Sequence, residues 1–399
     1  MTDTQTQTLT HQLTPTRTLL LAMTSGLAVA SMYYCQPLLG LLMTQFQVSS
    51  ELIGYVPTVT QLGYALGMLL LTPLGDCLDR RQLITVKGVL LTTALVVTAF
   101  SDSVMTLCIA SLAIGLLATL AQDMVPTAAA LSLPEHRGNN VGKILTGLLL
   151  GILLSRVVSG FLAAWLGWQS IFLLAAVCMI SVTFWLRTVL PEFRPTVTMP
   201  YRELIFSLFR LLGRSSVLRR AALAQGLLGM GFSAFWSTLA VMLYQSPFNL
   251  GSETAGLFGI AGAIGALMAP LFGKYADRLG ARKVTLFGSL LVAVSFFCMT
   301  MVVWFQAPVP VQLGVLMVTT VLFDVGIQAT FVAHQSLIYR IDPSALSRLN
   351  AVLVVSAFIG MALGGFIASH SFAFYGWISV PLMATLAGMA AFWVRLTAD

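Results

Sequence analysis

The stretch Gly273-Lys274-Tyr275-Ala276-Asp277-Arg278-Leu279-Gly280-Ala281-Arg282-Lys283, preceded by Gly265, has a looser copy much earlier in the chain. The copy is Gly75-Asp76-Cys77-Leu78-Asp79-Arg80-Arg81, preceded by Gly67 and ending at Lys87, so both read G-x7-G-x3-D-R. In each, an apolar run stops at a basic cluster and a second apolar run begins, the pattern of two membrane helices joined by a tight cytoplasmic turn. A repeat on this scale makes the fold a question about two related halves.

Composition agrees: 58% of the 399 residues are hydrophobic and 9% charged, far from the soluble average of about a quarter charged. Apolar runs recur at lengths that suit membrane helices, with no alternating strand pattern, which excludes an outer-membrane barrel. An all-α membrane protein is expected. Cys35, Cys77, Cys108, Cys178 and Cys298 are odd in number and scattered, so they indicate neither a disulfide framework nor a metal site.

Residues 1–17 form a polar cytoplasmic tail. Ala28-Val29-Ala30 imitates a signal cleavage site, but the apolar run continues through Tyr33-Tyr34-Cys35-Gln36-Pro37 to Met43 and is read as a span. Spans are expected at about 18–43, 52–74, 83–101, 104–128, 141–164, 168–188, 219–243, 254–273, 284–304, 311–333, 349–370 and 376–396. They make twelve helices in two pseudo-symmetric six-helix bundles, 18–188 and 219–396. The linker 189–218 carries an amphipathic segment suited to a membrane surface.

With the amino terminus cytoplasmic, only Arg156 of the 21 basic residues is away from a cytoplasmic end. The +7 net charge is therefore a topology signal and gives no reason to expect nucleic-acid binding. Trp165, Trp168, Trp304 and Trp377 are expected at the external interface, and Trp185 and Trp393 at the internal one. A second repeat supports the halves: Gly151, Gly167, Trp168 and Ser170 recur at a constant offset as Gly360, Gly376, Trp377 and Ser379. Two such repeats place a cavity between them near the bilayer midplane.

These features together resemble the major facilitator superfamily over nearly the whole chain. Gly273 to Lys283 is similar to its loop 8–9 signature, with Ala281 inserted, while Gln82 replaces the usual second glycine in the earlier copy. The resemblance implies a cytoplasmic gate built from Gly75, Asp79, Arg80, Gly273, Asp277, Arg278 and Arg282. In the family, this segment clasps the cytoplasmic ends of the halves in the outward-open state. The fifth span is similar to the family's antiporter motif, with Ser155, Arg156 and Ser159 where glycine, proline and glycine are usual. There Gly147, Gly151, Ser155 and Ser159, followed by Gly160, give a ridge of small residues against which a helix can pack closely. Tyr33 to Pro37, Asp324 to Gln328 and Asp342 to Asn350 resemble a poorly characterised bacterial subgroup assigned as exporters.

Three ionisable residues fall within spans: Asp123, Arg156 and Asp324. Each costs about 2.5–3.5 kcal/mol at a span centre unless it faces a cavity or a partner. Asp324 is the expected proton carrier, and Asp123 is open to a cavity or a structural role. Arg156 keeps its proton and suits a fixed counter-ion for Asp123 or an anionic substrate. Tyr33, Tyr34, Gln36, Gln61, Phe235, Trp236 and Gln328 are candidates to line the cavity, with Tyr64 beside them.

The expected function is secondary transport of a small organic solute by alternating access, as proton-coupled efflux, with a proton-coupled symporter importing a sugar or similar nutrient as the alternative. An intramembrane enzyme is a remote alternative, since no H-E-x-x-H or G-x-S-x-G occurs, and so is a transporter-like sensor. Expected partners are the solute, protons and membrane lipid. The chain is expected to be a monomer in the cell membrane, the inner one in a Gram-negative cell, with both termini cytoplasmic and no cofactor or metal.

Overall fold

The structure, a computed structural model, describes residues 13–133, 135–193, 200–342 and 345–397, without the side chains of Asp76, Ala266, Ala269, Pro270 and Asp277. Much of the expected polar tail thus lies outside the described residues, as do Arg194, Pro343 and Ser344. Everything regular among the described residues is helical.

Among the described residues, nine helices are each long and apolar enough to cross a membrane: Arg80–Ala99, Val104–Leu131, Arg137–Leu166, Gln169–Val189, Ser216–Tyr244, Ala281–Trp304, Val309–Ile338, Leu346–Tyr375 and Ser379–Leu396. The other three spans are shorter or segmented. The second is Tyr55–Leu70 behind the short turn Ser50–Ile53. The eighth is Ser252–Leu267 continued by Ala269–Leu279. The first runs over Pro15–Ala30, a turn, Gln36–Leu38 and Leu39–Gln45. Twelve spans result, and the linker helix Tyr201–Arg214 separates the sixth from the seventh.

The break in the first span follows from Pro37, which cannot donate a backbone hydrogen bond. A non-helical turn at this depth is tolerated only where protein satisfies its carbonyls. Ser159 of the fifth span does so, its hydroxyl donating to Tyr34 O at 2.6 Å.

The repeat seen in sequence recurs as geometry. Gly167 and Gly376 end the fifth and eleventh spans with φ of 85° and 71°. The hydroxyls of Ser170 and Ser379 donate back to the carbonyls of these glycines at 2.6 and 2.8 Å. Gly147 and Gly151 press on Ala22 and Gly26 of the first span, as Gly360 and Gly364 press on Gly226 and Met230 of the seventh. The two GxDR turns differ, and the reason lies in one residue. Gly280, at φ 89°, alone reverses the chain between the eighth and ninth spans. At the earlier copy Gln82 lies inside the third span, and the turn falls at Leu78, with Asp79 capping the helix by accepting from Arg81 N at 3.0 Å.

The tryptophan expectations need two corrections. Trp165, Trp304, Trp185 and Trp393 are exposed on the helix surface, but Trp377 is only partly exposed, its ring packed on Phe235 and Phe372. Trp168 is buried, its ring edge-on to Phe46 and Phe172. Packing inside the first half outweighs an interfacial position for this ring. The linker helix likewise does more than lie on a surface. Leu204 and Leu208 are buried, Leu208 in a cluster with Leu218, Leu349 and Leu353, while Phe206 and Phe209 stay exposed.

Candidate functional site

The helix ends opposite the basic clusters are drawn together across the halves. Ser252 of the eighth span donates to Gly160 O at 3.0 Å. His370 Nε2 of the eleventh lies 2.8 Å from Glu51 Oε1 and 3.4 Å from Tyr55 OH, beside the second span. Gly40 of the first packs under Tyr244 of the seventh. Deeper, the ring of Tyr64 lies 4.3 Å from that of Phe358, and Tyr64 OH accepts from Gln122 Nε2 at 2.9 Å.

Behind this closed end, Arg156 enters the centre from the fifth span, 3% exposed. Its Nε donates to Gln36 Oε1 at 2.8 Å, an acceptor that the break in the first span places there. The guanidinium lies 4.0 Å from the ring centroid of Trp236 and 4.6 Å from that of Tyr33, two cation–π contacts that hold it in a desolvated position. Asp324 enters from the tenth span, also buried. The eighth span allows this by being glycine there: a Cβ at Gly262 would lie 3.0 Å from Asp324 Oδ2 and 3.2 Å from Trp236 Cζ2.

Arg156 and Asp324 form no ion pair within 4.0 Å. Arg156 Nη2, Asp324 Oδ2 and Trp236 Nε1 are all buried without a hydrogen-bond partner; Gln61 Oε1, on the second span, is a further buried orphan. Buried polar atoms are nearly always satisfied, so a cluster of orphans between two halves marks a place where something else binds.

Other residues singled out in the sequence fall elsewhere. Tyr34 packs against Phe172 inside the first half, and Phe235 sits among Phe296, Phe323 and Trp377 inside the second. Both are aromatic core. Gln328 is partly exposed one helical turn from Asp324. Asp123 is held by Lys87, with Nζ 2.7 Å from Oδ2 and both side chains buried, and not by Arg156. Lys87, counted in the sequence among the cations at cytoplasmic ends, is thus a missed member of the interior charges. A second missed pair is His334 with Gln225, Nδ1 to Oε1 at 2.9 Å.

The gate residues make these contacts within their own half. Arg80 Nε donates to Gly75 O at 2.9 Å and its Nη1 to Pro126 O at 3.3 Å. Asp79 Oδ1 also accepts from Phe193 N at 3.0 Å, tying the loop to the start of the linker. Arg282 Nη2 donates to Leu396 O at 3.0 Å. Gly273 lies near Val332 and Arg278 is exposed. The side chain of Asp277 lies outside the described residues.

Twelve spans around a buried, charged centre define a multi-pass membrane transporter. The chain matches the family model of the Major Facilitator Superfamily over residues 21–340 and 221–399, and it belongs to that family. It is 38% identical over 378 residues to the uncharacterized transporter YgaY of Escherichia coli O157:H7, covering 94% of each chain. It is 25% identical over 274 residues to the purine ribonucleoside efflux pump NepI of Salmonella enteritidis, covering 64% of this chain and 63% of that one. Among solved structures, the nucleoside transporter NupG shares the fold at a TM-score of 0.77 and 13% identity, covering 95% of this chain and 98% of the other.

Proposed function

We propose that the chain exports a small organic solute across a cell membrane, the inner one in a Gram-negative cell, in exchange for protons. The halves 18–188 and 219–396 rock about the centre, joined by the linker 189–218, with both termini and the basic helix ends cytoplasmic. The observation that carries this reading is the pair of opposite buried charges, Arg156 from one half and Asp324 from the other, left unpaired where the halves meet.

Asp324 is the proton carrier in this scheme, because a carboxylate without a partner in a desolvated place is most economically held neutral. Arg156 is the fixed charge, since a guanidinium does not give up its proton. The export direction draws on the likeness to an efflux pump and on the antiporter-like fifth span.

The test is flux in proteoliposomes under an imposed pH gradient, with a panel of labelled solutes. Wild-type vesicles should accumulate at least one solute beyond equilibrium, and Asp324→Asn vesicles should not. Undiminished gradient-driven accumulation by Asp324→Asn would overturn the role given to the carboxylate.

A further inference from the structure

Arg156 and Asp324 lie along the same glycine-bearing face of the eighth span. A Cβ at Gly259 would come within 2.9 Å of Arg156 Cβ, and one at Gly262 within 3.0 Å of Asp324 Oδ2. Gly259 and Gly262 are separated by about 4.5 Å along a helix axis, so the stem of one charge and the head of the other are neighbours. They remain apart because the guanidinium is already engaged: Gln36 takes its Nε, and the rings of Trp236 and Tyr33 take its faces. What is left over is specific. Arg156 Nη2, Asp324 Oδ2 and the Trp236 indole Nε1 are buried there without a partner.

We propose that this centre takes an amphoteric solute, with an anionic group for Arg156 and a protonated amine for Asp324, bound so that it bridges the two halves. The inference rests on the transporter reading above and narrows it to a substrate class. A simple anion would satisfy Arg156 but leave Asp324 Oδ2 without a partner. A simple amine would displace the proton that Asp324 carries in the empty centre, but would add a like charge beside Arg156. An uncharged solute leaves the Arg156 charge uncompensated. The amphoteric ligand is the class that satisfies both orphan atoms at once. Because its two ends are held by different halves, its binding favours the closed arrangement over either open one, as differential affinity requires. A narrow cleft lined by Gln36, Pro37 and Trp236 adjoins Arg156, and the solute enters when the halves part.

The test is a thermal-shift measurement on the purified full chain in detergent, using two matched series. One is L-phenylalanine, 2-phenylethylamine and 3-phenylpropanoate, and the other is L-leucine, isoamylamine and 4-methylpentanoate. In at least one series the amino acid should stabilise the wild-type protein, with the amine and the acid at least about tenfold weaker. Arg156→Gln should bring the amino acid down to the level of the amine, and Asp324→Asn down to that of the acid. If a variant does not purify as a monodisperse species, the wild-type ranking alone decides. An acid or amine that matches its amino acid, or no stabilisation by either amino acid, would overturn the proposal. Gradient-driven flux of a solute with a single charge would sink this inference and leave the transporter reading standing. Amino acid-specific stabilisation without any flux would do the opposite.

Discussion

Lys87 Nζ lies 2.7 Å from Asp123 Oδ2, and the two side chains are 2% and 4% exposed. Lys87 belongs to the third span and Asp123 to the fourth, in a helix that Pro126 interrupts one turn later. The pair therefore locks two neighbouring helices of the first half at a depth where water does not compete. A desolvated ion pair adds little net stability compared with an apolar pair of the same shape, but removing one partner alone is strongly destabilising. Lys87→Met should lower stability by about 3–5 kcal/mol. The double variant Lys87→Met/Asp123→Leu should recover most of that loss. Unfolding in detergent, followed by tryptophan fluorescence, measures both. A double variant as unstable as the single one would mean that Asp123 has a role beyond this pair.

The glycines of the two halves give a matched experiment. A Cβ at Gly151 would lie 2.6 Å from Gly26 Cα, and a Cβ at Gly360 would lie 2.7 Å from Gly226 Cα. Real side chains do not approach backbone this closely, so the facing helices must separate. Gly151→Val and Gly360→Val should each cost at least about 1–3 kcal/mol, the usual range for overpacking, and by similar amounts because the geometry is repeated. Gly142→Val, at a fifth-span position with open space around it, is the control. Monodisperse yield on size exclusion and midpoint temperature are the readouts. Equal yields for all three variants would contradict the close packing.

The span pattern was legible because hydropathy and charge act at the level of whole helices. The pairing of Gly167 with Gly376 was legible because a positive-φ turn demands glycine in both halves. The partners of the interior charges were not. Lys87 lies inside the third run by the same hydropathy that singled out Asp123, yet near the end of that run it counts only as one more cation of the basic cluster. Only the packing of the third span on the fourth shows that it turns inward. The break at Ser31 to Cys35 was hidden because Pro37 can sit in a continuous span, and without the break Gln36 would not meet Arg156. Phe235 and Tyr34 illustrate the limit from the other side: an aromatic near mid-span looks the same in sequence whether it faces a cavity or its own bundle.

At the end opposite the basic clusters, His370 of the eleventh span touches Glu51 and Tyr55 from the other half. The ring also lies 4.3 Å from that of Phe366 in its own helix. This cluster is a polar link between the halves, beside that of Ser252 to Gly160. The contact to Glu51 draws the eleventh span toward the second, so removing the charge of the carboxylate should loosen this end. The pair is partly solvated, with side chains 28% and 33% exposed, so the bias is modest. A partly exposed pair contributes about 1 kcal/mol or less, a shift of up to about fivefold between closed and open populations. Glu51→Gln should weaken that bias while leaving the hydrogen bond to the amide in reach. Spin labels on cysteines introduced at Leu52 and Phe374, both exposed near this end, would report the distance across the halves. A distance distribution equal in wild type and Glu51→Gln would leave His370 a packing residue.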